Sequence, residues 1–255
     1  MTRFDARLFG AAAAVATTLA CGDWTGLDSG RVTVQFASLA GSAASAPAVS
    51  AAAAATPVTG TNGTLTLEQI WLVADEFRLE RADGTCDAAS SGPGNPCDRF
   101  EAAPALASVS LDGDVPGGVT LTADPGTYDE LKFETREPRA DGTLLAEIRA
   151  QFPDWPEEAS LLVIGTFTPA DGGDPVAFRV FFSGEVRVEL VFEGEPLVVA
   201  AGDEQTATVF VNPDLWFVQA DGSVVDLTQF DFAATGEVVE LEAKFLEGFT
   251  KIEVD

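Results

Sequence analysis

The chain has 255 residues, with 14 Lys and Arg against 41 Asp and Glu, no histidine, and a formal charge of −27. So little positive charge excludes binding to DNA or RNA by counterion displacement, and the lack of histidine excludes Ser-His-Asp and Cys-His catalysis and His-ligated metal centres. An apolar fraction of 46% is enough for a packed core and too high for a disordered chain.

Residues 1–20 read as an export signal. Arg3 and Arg7 make a basic start, and Leu8 to Ala20 is an apolar run of 13 residues. That is short of the ~20 residues needed to cross a bilayer and fits a signal's apolar region. The run ends Thr18-Leu19-Ala20-Cys21. A small residue followed by cysteine resembles the bacterial lipoprotein signal, in which the cysteine is acylated and becomes the first mature residue. Ordinary secretion, with cleavage at an alanine and Cys21 left as a free thiol, is the alternative. Two or more acyl chains anchor stably. Lipid on Cys21, palmitate for example, would hold a soluble domain on a membrane without a spanning helix. The expected location is a bacterial cell envelope, at the outer membrane.

Residues 21–30 then form a tether that carries Trp24. The first strand is expected over 31–40, where Val32, Val34 and Phe36 alternate with polar residues. Residues 41–63 are Ala/Ser/Pro/Gly-rich and uncharged, and are expected to be a flexible excursion outside the domain. From Thr64 to Asp255 the pattern is β almost throughout. In the run 64–81, Leu65, Leu67, Trp71, Val73, Phe77 and Leu79 share one parity. Ile70 and Leu72 break it, which points to burial on both faces or to a bulge.

Cys86 and Cys97 follow in a Gly/Pro/Ser-rich segment. An even pair in an exported protein implies a disulfide, here closing a loop of 12 residues. Their spacing does not match a CxxC redox pair, and two thiolates alone make a poor metal site. Further strands are expected near 105–111, 118–123, 129–135, 160–168, 176–183, 184–192, 196–200, 206–212, 223–227, 237–247 and 249–254. Turn signals such as Asp124-Pro125-Gly126 and Asp221-Gly222 separate many of them. One short helix is expected at 143–152, where Leu145, Ile148 and Phe152 share a face and Pro153 ends the pattern. Short strands without a long helical period define an all-β antiparallel sandwich over 64–255. Trp71 and Trp216 are expected inside it, with no deep polar pocket.

Several phrases carry a resemblance: Gly60-Thr-Asn-Gly-Thr-Leu-Thr-Leu67, Pro125-Gly-Thr-Tyr-Asp-Glu-Leu-Lys-Phe133, Phe152-Pro-Asp-Trp-Pro156 and Val211-Asn-Pro-Asp-Leu-Trp-Phe217. Together they resemble a group of uncharacterised bacterial lipoproteins, domains of unknown function with a transthyretin-like or related β-sandwich. The resemblance implies an exported lipoprotein and no chemistry. Within these phrases Tyr128, the only tyrosine, is read as capping a sandwich corner through its hydroxyl.

No catalytic residue, metal or cofactor is assigned. Two carboxylates can hydrolyse a glycoside without histidine. Among the acids only Asp75 stands out, because it shares parity with Val73 and Phe77, and an Arg or backbone N–H partner is the commoner fate of such a residue. Asp112, Asp114, Asp171 and Asp174 are loop acids lacking a calcium-loop pattern, and are read as turn residues. Trp71, Trp155 and Trp216 could stack on sugars if exposed, but core packing is their simpler role. The leading expectation is a membrane-anchored, non-enzymatic β-sandwich with a structural or binding role. A carbohydrate- or peptide-binding module is the alternative, and a carboxylate hydrolase a remote one.

Overall fold

The structure is a computed structural model that describes residues 29–39, 55–82, 102–112, 118–140 and 142–254. Cys21, Trp24, Cys86 and Cys97 lie outside these residues, so the anchor and disulfide expectations do too.

The first strands are β1 (Gly30–Ser38), β2 (Thr56–Gly60), β3 (Gly63–Arg81), β4 (Ala105–Ser110), β5 (Val119–Ala123) and β6 (Gly126–Thr135). Helix α1 (Thr143–Gln151) leads to β7 (Leu161–Pro169), β8 (Val176–Ser183), β9 (Val186–Val191), β10 (Leu197–Val199) and β11 (Glu204–Val211). The chain ends in α2 (Pro213–Phe217), a 3-10 turn (Leu227–Phe230), α3 (Phe232–Thr235), β12 (Val239–Glu240), α4 (Glu242–Glu247) and β13 (Phe249–Val254).

These strands make an all-β sandwich. One layer holds β5, β1, β11 and β13, and the other is built on β3 with β2, β6, β7, β8, β9, β10 and β12. Strand β4 pairs with both β1 and β3 and so links the layers along one side. A bridge from Phe192 to Ile252 joins them on the other. The inner faces meet through aromatic contacts, Phe36 with Phe133 at 5.5 Å and Phe133 with Phe249 at 5.4 Å. Tyr128 is buried, and its hydroxyl donates to the Asp124 carbonyl at 2.7 Å, the expected corner cap.

Most pairings are antiparallel, but β1 runs parallel to β11 and β4, and β12 runs parallel to β8. A hairpin imposes antiparallel pairing, whereas long connections such as that between β1 and β11 leave the direction free.

Strand β3 is 19 residues long, and two of the three register shifts along it change which of its residues face inward. Its register against β7 shifts between Leu67 and Gln69, and against β6 between Asp75 and Arg78. Glu76 sits at the second shift with φ 51°. Each of these two shifts reverses which side chains face inward. Leu65, Leu67, Ile70, Leu72, Ala74, Phe77 and Leu79 therefore all reach the main core. Trp71 and Val73 turn to the opposite face, correcting their expected shared parity with Leu65. There Val73 joins Leu145, Ile148, Trp155, Leu162 and Phe181 in a second core under α1. Trp155 is buried and donates its indole N–H to the Ala159 carbonyl at 3.1 Å.

The domain begins earlier than Thr64. Strand β1 is central to one layer, and β2 pairs with β3 with Thr56 and Val58 buried. The flexible excursion expected over 41–63 thus loses residues 56–63 to the fold. Pro57 is tolerated because, among the described residues, β2 pairs with β3 alone. No strand forms over 223–227, where a single Val218–Val224 bridge precedes the 3-10 turn. Residues 237–247 give only the two-residue β12 and α4. The expected single helix is joined by α2, α3 and α4, which have 5, 4 and 6 residues. Helices this short owe their stability to tertiary packing rather than to periodicity. In α2, Asn212 caps the N-terminus by accepting from Asp214 N at 3.1 Å, and Trp216 is buried with its indole N–H on the Phe245 carbonyl at 3.0 Å.

Candidate functional site

The polar positions of β3, β6 and β9 cover one outer face with charge. Cross-strand register places Asp75 opposite Glu134, Arg78 opposite Lys132, and Glu80 opposite Glu130. Like charges directly opposite destabilise a sheet. Here relief comes from cations both diagonal to and directly opposite the carboxylates. The Lys132 ammonium lies 2.8 Å from Glu80, 3.2 Å from Glu130 and 3.7 Å from Glu189. Its bond with Glu80 raises the lysine pKa and lowers that of Glu80. Glu130 moves the other way, first by burial and then because it shares a hydrogen bond with Glu80. Arg187 from β9 binds Glu134 through two nitrogens, and this bond raises the arginine pKa.

Asp75 is buried at the second break of β3. Its Oδ2 accepts from Arg136 Nε at 2.9 Å and also from Arg136 Nη2, while its Oδ1 accepts from the Glu76 backbone N–H at 2.8 Å. Arg136 further lies 3.4 Å from Glu76 and 3.9 Å from Glu134. Burial opposes its charge, but these carboxylates outweigh burial and its pKa rises. Both oxygens of Asp75 are occupied, so the residue acts as a tie between β3 and the end of β6.

Beside this tie the outer surface is hollow. The shift at Glu76 opens a groove of about 600 Å³, with Asp75, Glu76, Arg78, Arg136 and Arg139 on one side and the Ala102–Pro104 segment on the other. This polar groove lies on the outer face, where no periodic sequence pattern signals one. Arg78, Glu134, Arg136 and Arg139 escaped the sequence reading. Its one available signal was the Arg136–Arg139 pair, which flanks Pro138 just after a strand.

The other candidates are placed as follows. Trp155 and Trp216 are core residues. Trp71, expected in the main interior, is only half-buried. It packs edge-on against Phe152 at 5.4 Å and donates its indole N–H to Gln69 at 3.1 Å. Asp171 accepts from Gly173 N at 3.3 Å in an exposed turn. Among the described residues no three or more His, Cys, Asp or Glu side chains group as metal ligands, and no helix is long and apolar enough to cross a membrane.

Fold and surface together define an all-β sandwich protein with a charge-laced outer face. The chain matches no protein-family model and no curated relative. Among solved structures, MbnP from Methylosinus trichosporium is similar over 71% of this chain and 75% of its own, at 14% identity and a TM-score of 0.34.

Proposed function

We propose that this is an exported bacterial lipoprotein, anchored through Cys21 in the cell envelope at the outer membrane, with a non-enzymatic binding role. The observation that carries the reading is the run Leu8–Ala20, too short to span a bilayer and ending at Cys21. The first strand starts at Gly30, so eight residues separate it from the cysteine. Fully extended, they reach at most about 28 Å, which keeps the sandwich close to the membrane surface. The same export route provides an oxidising compartment in which Cys86 and Cys97 pair.

The binding role is supported by the groove at Asp75, and the non-enzymatic reading by the engagement of both Asp75 oxygens. The test is fractionation of cells making the parent chain or Cys21→Ser, with radiolabelled palmitate. Label and membrane partitioning should both be lost in the variant. Unchanged partitioning would refute the anchor. Mass spectrometry of the non-reduced protein should recover an 86–97 cross-linked peptide.

A further inference from the structure

Positive charge is scarce on this chain, yet three guanidinium groups, those of Arg78, Arg136 and Arg139, converge on the groove beside Asp75. Two carboxylates, Asp75 and Glu76, share that lining, and Glu134 lies 3.9 Å from Arg136. Arg136 is committed to Asp75, and Arg78 reaches Glu76 at 3.2 Å. Arg139 is exposed, and its side chain makes no ion pair or hydrogen bond among the described residues. The facing wall of Ala102, Ala103 and Pro104 is short and apolar. A volume of about 600 Å³ falls within the ~300–1,000 Å³ that takes a small organic molecule.

We propose that this groove binds a small organic carboxylate, its anionic end received by Arg139 and Arg78 and its carbon skeleton laid on Ala102, Ala103 and Pro104. A guanidinium fork matches the two oxygens of a carboxylate in shape and charge. Arg78 can turn to the ligand because Glu76 keeps a second cation, Arg136, at 3.4 Å. Asp75 stays on Arg136 throughout and serves as a positioning residue. A sugar acid and the free carboxyl end of a short peptide present the same group. The proposal deepens the binding role given above and does not depend on the anchor, so either can fail without the other.

The experiment is isothermal titration of the purified full-length protein with glucuronate and with N-acetyl-Ala-Ala. Glucose and the amide of the same dipeptide are the uncharged counterparts. At least one acid should bind, at least tenfold more tightly than its counterpart, and which one binds identifies the source of the carboxylate. Arg139→Gln should weaken that binding tenfold or more. Arg139→Lys, which keeps the charge without the fork, should fall between. Arg31→Gln, on an exposed pair with Glu204 in β1, should match the parent. Circular dichroism should show all variants folded, since the Arg139 side chain holds nothing else among the described residues. Failure of both acids to bind more tightly than about 10 mM, or equal binding by Arg139→Gln and the parent, would overturn the proposal.

Discussion

Asn62 holds both backbone groups of Val224, a residue 162 positions away: the Val224 N–H donates to Oδ1 at 2.8 Å, and Nδ2 donates to the Val224 carbonyl at 2.9 Å. The side-chain amide thus acts as one more rung of sheet. It pins the β2–β3 turn to the loop after α2, where Thr61 N also bonds the Gly222 carbonyl at 2.9 Å.

Replacing Asn62 tests this pin. Val224 is buried, so Asn62→Ala leaves a backbone donor and acceptor without their partner. The expected loss is about 1–3 kcal/mol, read from urea unfolding. Asn62→Asp keeps the acceptor and loses the donor, and should fall between Ala and the parent. A midpoint for Asn62→Ala within error of the parent would show that the Asn62 side chain does not hold the two loops together.

The tie between Asp75 and Arg136 makes a second prediction. Arg136→Met leaves a buried carboxylate facing Glu134 without its cation, and should cost about 3–5 kcal/mol. Asp75→Asn in the same chain should restore part of that loss, because no buried charge then remains at position 75. A double variant as unstable as the sum of the two single ones would show that the residues do not interact.

A third prediction concerns pH. Glu80 is held below its ordinary value near 4.5 by its bond with Lys132. Its contribution to stability is therefore present above that value and is lost as pH falls through the lowered one. Glu130, raised by burial and by Glu80, has the opposite sign: its contribution is present in acid and is lost as pH rises through its folded value. Lys132→Met leaves Glu80, Glu130 and Glu189 to repel one another. The melting temperature should fall at pH 7, and by less at pH 4, where the carboxylates take up protons. An equal fall at both values would show that Lys132 acts by packing its stem rather than by its charge.

Much of the fold was legible locally. Alternation marked β1, β6, β8 and β11, and the spacing of Leu145 and Ile148 ahead of Pro153 marked α1 to within a residue at its end. The corner role of Tyr128 and an arginine or backbone partner for Asp75 also followed from residue chemistry. These features depend on a period of two or 3.6 residues, or on what one polar atom must do when buried, and a short window of sequence contains both. The register shifts of β3 are only half legible there: the broken parity of Ile70 and Leu72 signals a bulge, but nothing local places the break at Asp75. A shift is a relation to the strand alongside, and β3 has one at Leu67 against β7 and another at Asp75 against β6. Only the assembled sheet could turn Trp71 and Val73 away from Leu65. Pairing decided the rest as well. It drew β2 out of an Ala/Ser/Pro-rich stretch, set β1 parallel to β11, and brought Arg136 to Asp75 across 61 residues of chain. The groove beside Asp75 lies at the break at Glu76, and unlike the break near Ile70, no local pattern marks that one.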